Sequence, residues 1–228
     1  MPAGHGGSFP VVARRDALTR ESIVSATREM LRTTDLDRLS LRKLAGVLGV
    51  TAPALYAHVR DKEDLLRAVA ELGFGELVTR MEAVDAADPL ERLRGYGHAY
   101  VDLALADPEV FRVMFRYRPD AIEVPEIDNT LPAATDAFTL PGAAVAEAMR
   151  TGAIHPDRDP LRVALSLWAT NHGVANVLLL GARDGEVVIP EDLAHLVDDV
   201  IDSMLDGLAS PPRPDRPPQQ APAHSTEA

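Results

Sequence analysis

The sequence predicts an all-α protein of about nine helices, and three observations carry that prediction. Apolar residues recur at spacings of three and four through most of the 228 residues, which places them on one face of a helix. Thr, Ser and Asp stand just before those runs, often with proline next, and glycine stands just after several of them, as at helix starts and stops. No stretch alternates apolar and polar residues over the length of a strand, so no strand is expected.

Residues 1–18 contain Gly4, Gly6, Gly7 and Pro10 without a period and are expected to be a disordered arm. Arg14 and Arg15 can reach phosphates or a minor groove from there, although an untethered terminus is the simpler reading. Thr19 is placed to cap the first helix, with Glu21 at its positive end and Ile23, Ala26, Met30 and Leu31 as its inner face. Residues 34–39 turn the chain.

The stretch from Leu39 to Lys62 reads as two short helices and a tight turn. Ser40 caps the first, whose apolar face is Leu41, Leu44, Ala45 and Leu48. Gly49 follows the last apolar residue, where a left-handed residue ends a helix at least cost, and Val50 plugs the corner. Thr51 caps the second helix and Pro53 sits in its first turn, where a missing N–H costs nothing. Leu55 and Val59 point back to the first helix, and the small Ala45 lets the two cross closely. Such a pair is a helix-turn-helix, whose second helix enters the major groove of DNA.

Asp61 caps a longer fourth helix, with Asp64 in capping-box position and Leu65, Leu66, Val69, Leu72 and Leu77 as its stripe, reaching about Val84. Asp88-Pro89 opens the next, with Leu90, Leu93, Tyr96, Tyr100, Leu103 and Leu105 at helical spacing. Pro108 starts a short helix in which Phe111, Met114 and Phe115 share a face. Residues 119–129 read as a polar, acidic loop. A helix over 132–151 is expected to kink or split at Pro141-Gly142, since proline removes a hydrogen bond and clashes with the turn before it. The helix at 160–180 is apolar nearly all round and is expected to be buried on more than one side, ending at Gly181. Pro190 is expected to start the last helix, to 208, and residues 209–228 are a proline-rich disordered tail.

The order Ala45, Gly49-Val50, Leu55-Tyr56, His58 and Lys62 closely resembles the TetR family of bacterial transcriptional regulators. The resemblance implies a DNA-binding domain at 19–64 and a ligand-binding and dimerisation body at 65–208. It places Ser40, Lys43, Tyr56, His58 and Lys62 near phosphates, Arg42 at a guanine, and Thr51, Ala52, Pro53 and Ala54 against bases. Arginine suits guanine because its guanidinium pairs with N7 and O6. Ala52, Pro53 and Ala54 carry no hydrogen-bonding side chains, so they can only touch a thymine methyl or shape the fit. More of the sequence reading then falls on Arg42 and on DNA deformability.

Two further stretches, Asp107 to Phe115 and Trp168-Ala-Thr-Asn-His172-Gly173, resemble the Trp-His-Gly class of TetR-family bodies. Trp168 and His172 lie four apart, on one helical face. With Tyr96, Tyr100, Phe111, Met114, Phe115 and Phe138 they are candidate walls of a pocket for a small, largely apolar effector, pockets being mostly apolar with a few polar groups. Gly173 is expected to permit close helix packing. The resemblance further implies a homodimer through the helices near 160–180 and 190–208, reading a palindromic double-stranded operator as a repressor released by its effector. A constitutive regulator or activator is the alternative.

Charge fits that division. Residues 13–82 hold 12 Lys and Arg against 11 Asp and Glu, while the remainder holds 11 against 24, within a net of −12. An acidic body held off a polyanion by a near-neutral head predicts modest, salt-dependent affinity. There is no cysteine, which excludes disulfides and thiolate metal sites and fits a reducing cytoplasm. Neither a signal peptide nor a membrane-spanning run of about 18 apolar residues is read. Enzyme chemistry is thin: His155, Asp157 and Asp159 lie in a proline-flanked loop without metal-ligand spacing, and no Gly-rich phosphate loop or nucleophile elbow occurs. No metal or other cofactor is expected.

Overall fold

The computed structural model describes residues 18–34, 36–119, 129–180, 182–183, 186–187, 193 and 195–209. The expected arm, the 120–128 part of the acidic loop, Gly181, Pro190 and the tail from 210 onward lie outside the described residues.

Three short helices come first: α1 (Arg20–Leu31), α2 (Leu41–Leu48) and α3 (Ala52–Tyr56), with a 3-10 turn at Leu36–Arg38 between α1 and α2. Thr19 and Ser22 cap α1 reciprocally, each hydroxyl accepting from the other's backbone N–H at 3.1 and 3.0 Å. The Ser40 hydroxyl accepts from the N–H of Lys43 at 3.2 Å. Gly49 takes the left-handed conformation at φ 67°, which lets the N–H of Val50 turn back to the carbonyl of Ala45 at 3.0 Å. Thr51 caps the five residues of α3, accepting from Ala54 at 3.4 Å. Ile23, Leu31, Leu44 and Leu55 are fully buried and close a small core with Ala45 and Val59.

A long helix, α4 (Lys62–Glu82), leaves this head and enters the body. The Asp61 carboxylate accepts from the N–H of Asp64 at 2.7 Å, so the expected cap forms. Asp64 does not complete the box. Its carboxylate instead accepts from the N–H of Arg60 at 2.9 Å and pairs with the Arg20 guanidinium at 2.9 and 3.0 Å. The Arg20 hydrogen bonds above all hold Asp64 at a pKa of about 2, against an ordinary 3.8. Arg20 also donates to the carbonyl of His58 at 3.0 Å, tying α1 to the segment after α3.

The body is α5 (Pro89–Ala106), α6 (Pro108–Met114), α7 (Pro132–Thr151), α8 (Pro160–Leu179) and α9 (Leu196–Ala209). α4 packs on α1 on one side and on α5, α6 and α7 on the other, while α5 runs through the middle against α4, α6, α7, α8 and α9. α4 and α6 meet at Gly73, where a β-carbon would stand 2.6 Å from Met114 Sδ and 3.0 Å from Val110 Cγ1.

Asp107, between α5 and α6, is 1% exposed. Its Oδ2 accepts from Arg28 Nε of α1 at 2.7 Å, and Arg28 also reaches Glu76 of α4 at 2.6 Å. Arg80 joins the same Glu76 at 2.8 Å.

Three expectations need correction. α7 is not split at Pro141-Gly142; it runs unbroken from Pro132 to Thr151, because the loss of one hydrogen bond is outweighed by packing on both sides of the proline. The last α-helix begins at Leu196, since Leu193 is in a 3-10 turn and His195 in a turn; the expected start, Pro190, lies outside the described residues. The chain is not wholly free of strand: Ala182–Arg183 and Glu186–Val187 form a two-residue antiparallel pair after α8, and Arg118 bridges Thr130. These pairings are too short to leave an alternating pattern in the sequence. Among the described residues no helix is long and apolar enough to cross a membrane.

Two outcomes follow from this packing. Gly73→Val forces α6 away from α4 and lowers stability by about 1–3 kcal/mol in urea unfolding. Asp64 ionises more readily folded than unfolded, so its contribution is present above pH 3.8 and fades as pH falls toward 2. Asp64→Asn therefore lowers stability at neutral pH and flattens the acid limb of stability between those values, as read by urea titrations across pH.

Candidate functional site

Buried Leu55 anchors α3 against α2, and this turns the other side of the pair outward. Arg42 and Lys43 are exposed on α2, and Thr51, Pro53, Tyr56 and His58 are exposed on and around α3; Ser40, Ala52, Ala54 and Lys62 are half-buried. All ten predicted residues thus fall in one region of the head, but they are not equally available. The Ser40 and Thr51 hydroxyls are occupied as caps. Lys62 Nζ donates to the carbonyl of Leu36 at 2.9 Å and Lys43 Nζ to that of Arg38 at 3.3 Å. The side chains of Arg42, Tyr56 and His58 make no hydrogen bond or ion pair among the described residues. Tyr56 is 55% exposed.

This face offers a fork of donors at Arg42, a phenol and an imidazole at the C-terminal end of α3, and a flat apolar edge at Ala52–Ala54. That is the chemistry of groove and phosphate contact. Sequence reasoning missed Val47, 62% exposed one turn beyond Lys43, because it stands off the apolar stripe. It also missed the role of Arg20 and Asp64, whose clamp sets the position of the segment carrying His58.

The body holds a cavity whose empty volume, open mouth included, is about 640 Å³. Tyr96, Tyr100, Phe115, Phe138 and Trp168 line it, as the sequence suggested. Phe111, Met114 and His172 do not. Phe111 and Met114 are buried at 2% and 0% behind the wall, since the inner face of α6 turns toward α4 and α5. His172 also stands behind it, stacked on Phe111 with centroids 5.5 Å apart. α4 supplies a wall that the sequence did not reveal: Phe74, Leu77 and Met81. Their helical spacing was visible, but nothing in it distinguishes a cavity wall from ordinary core.

The polar groups around the cavity are largely satisfied. Trp168 Nε1 donates to the Tyr100 hydroxyl at 3.1 Å, and that hydroxyl lies 3.0 Å from His172 Nδ1. Indole can only donate, so the hydroxyl accepts from it and gives its proton to Nδ1, leaving the His172 proton on Nε2. Burial lowers His172 from its ordinary 6.5 and raises Tyr100, so both stay neutral at pH 7. Pro141 and Ala137 both line the cavity. Proline has no N–H, so the Ala137 carbonyl lacks its usual partner four residues on.

One wall residue reaches the head. Tyr117 lines the cavity, and its hydroxyl donates to Glu63 Oε1 at 2.7 Å. Glu63 is in the first turn of α4, between Lys62 and the Asp64 clamp, and also pairs with Arg116 at 3.0 Å. Arg67 stands 5.6 Å over the Tyr117 ring and donates to the carbonyl of Thr130.

Val177 on the outer face of α8 and Leu180 just past its end are 45% and 83% exposed, and Leu161, 45% exposed, lies in its first turn on a different side. Among the described residues nothing lies within 4 Å of where a β-carbon would stand at Gly173. The stripe of α9 is turned inward instead: Ile201, Leu205 and Leu208 are buried.

The two halves of the chain have separate matches among known proteins. Residues 23–69 match the model of bacterial regulatory proteins of the tetR family, and residues 93–204 match that of the tetracyclin repressor-like C-terminal domain. Over 53 residues the chain is 49% identical to the class D tetracycline repressor protein of Escherichia coli, a match covering 23% of this chain and 24% of that protein. The chain therefore spans only about a quarter of the length of that relative. It is 28% identical over 182 residues, 78% of each chain, to an uncharacterised HTH-type transcriptional regulator of Mycobacterium tuberculosis. A solved protein of unknown function from Rhodococcus sp. RHA1 superposes with a TM-score of 0.68 at 29% identity, over 89% of this chain and 100% of that one. Head and body lead to one assignment: the chain belongs to the TetR family of bacterial transcriptional regulators, a family of DNA-binding proteins rather than of enzymes.

Proposed function

We propose that the protein is a homodimeric, ligand-responsive repressor that acts in the cytoplasm. Residues 19–64 form its DNA-binding part and residues 65–208 its effector and dimerisation part. The α3 of each subunit reads one half of a palindromic operator, with half-sites about 34–36 Å apart or a multiple of it. Arg42 reads a guanine; Ala52, Pro53 and Ala54 sit against bases; Tyr56 and His58 meet phosphates. Lys43, Lys62, Ser40 and Thr51 adjoin the backbone, and the two lysines must leave their carbonyl partners to reach it. The exposed apolar side of α8 supports the dimer, because a second copy would cover Val177 and Leu180 and pack closely at Gly173.

The observation that carries the regulatory reading is α4. Its first turn is clamped to the head through Asp64 and Arg20, and its second half walls the cavity through Phe74, Leu77 and Met81. An effector that pushes on this wall, or on Tyr117 and through it Glu63, shifts the heads to a spacing that no longer fits DNA. Couplings of this kind are typically about 1–3 kcal/mol, roughly 5–150-fold in affinity.

Two measurements test this on an operator selected from random-sequence DNA. Arg42→Ala with Tyr56→Ala should abolish the footprint without changing the helical circular dichroism; an unchanged footprint removes the proposed reading face. Tyr117→Phe touches no proposed DNA contact, yet it should weaken operator binding by roughly fivefold or more in fluorescence anisotropy, because it frees the first turn of α4. Wild-type affinity would show that the Tyr117–Glu63 hydrogen bond does not hold the heads.

A further inference from the structure

We infer that the cavity takes an uncharged, flat, mainly apolar molecule with one hydrogen-bonding oxygen, held by the Asn171 amide or the Tyr96 hydroxyl, and that it rejects carboxylates and amines. This deepens the reading of the cavity as an effector site and rests on it.

The argument begins from charge. Every described residue lining the cavity is uncharged. The charges nearest in effect to the Tyr96 hydroxyl are Arg92 and Glu147, and they pair with each other at 2.8 Å. Arg92 is further held by the carbonyls of Ala86 and Ala87. Arg67 and Arg116, near the Tyr117 end, are likewise engaged by Thr130 and Glu63. The stretch 120–128 contributes Asp120, Glu123, Glu126 and Asp128 and no Lys or Arg, so it brings no cation for an anionic ligand. A charge entering such a site loses its hydration without gaining a counter-ion.

The polar inventory then narrows the ligand. Tyr100, Trp168 and Tyr117 have their polar atoms occupied by one another or by His172 and Glu63. Asn171 and Tyr96 line the same cavity and make no hydrogen bond among the described residues. Asn171 Oδ1 of α8 lies 3.1 Å from where a β-carbon would stand on Gly97 of α5, beside Ile201 Cδ1 of α9 at 2.5 Å. The lack of a side chain at Gly97 makes room for this amide. An amide and a phenol, both able to donate, suit a ketone, ester or amide oxygen. The walls favour flat rings: Phe115 stands 6.1 Å from Trp168 in stacked orientation and 6.0 Å edge-on from Phe74.

A matched set of four probes tests this on the full chain: naphthalene, 2-acetylnaphthalene, 2-naphthoate and 2-naphthylmethylammonium. Binding is followed by calorimetry and by quenching of Trp168, the single tryptophan, which lies in the wall. The neutral ketone should bind at least about tenfold tighter than either ion, since neither ion finds a partner. At least one of Asn171→Leu and Tyr96→Phe should weaken the ketone by about threefold to tenfold, and both should leave naphthalene unchanged, which also shows that the variant cavity is intact. Equal or tighter binding of the carboxylate or the ammonium overturns the charge argument. Equal binding of naphthalene and its ketone, or no effect of both substitutions, removes the polar anchor while leaving the effector-site reading in place. Binding of none of the four overturns the proposed ligand class, because the neutral probes carry the rings and the oxygen it names.

Discussion

The salt bridge between Arg28 and Asp107 is the constraint on which the rest of the structure depends. Asp107 is almost wholly buried between α5 and α6, and one of its carboxylate oxygens has no partner among the described residues. A buried carboxylate is tolerated only beside a cation, and removing one member leaves the other buried and unpaired. Arg28 comes from the head, and its second contact, Glu76, is on α4. A single guanidinium therefore joins α1, α4 and the α5–α6 junction, and the head cannot tilt without separating charges in a poorly solvated place.

Given that joint, α4 becomes a member of both halves. Leu65 and Leu66 close the core of the head, Gly73 and Val69 lie along α6, and Phe74 and Leu77 face the cavity. A boundary drawn after residue 64 cuts this helix in its first turn, at the place where Asp64 clamps the head and Glu63 receives Tyr117. The charge split lies farther on, near-neutral over residues 13–82 and acidic beyond, so it falls at the end of α4 and not in its first turn. The polar contacts that cross the boundary after residue 64 involve charged groups on α1, on α4, at the α5–α6 junction and after α6, while the described cavity lining is uncharged.

Local signals carried the elements. Thr19, Ser40, Thr51, Asp61, Asp88 and Asp159 each cap a helix with a side-chain oxygen, and Gly49 ends one in the left-handed form. Each of these depends on neighbours within three or four residues, so spacing alone reveals it. Pro141 misled for the same reason: its local effect is to break a helix, and only packing on both sides keeps α7 whole. The outward side of the helix-turn-helix was equally legible, since burying Leu44 and Leu55 on one side leaves Arg42, Pro53 and Tyr56 exposed on the other.

The cavity was legible only in part. Tyr96, Tyr100, Phe115, Phe138 and Trp168 could be picked as large side chains on apolar faces, but Phe111 and Met114 meet that description too and are solid core. What divides them is the direction in which α6 turns, set by its close approach to α4 at Gly73, 37 residues or more away in the chain. The sequence by itself determined the helices, their order and the outward side of the helix-turn-helix, because those follow from contacts a few residues apart. Only the tertiary structure decided which aromatic groups enclose space, which polar groups are satisfied and how the cavity reaches α4, because those depend on helix crossings between distant segments.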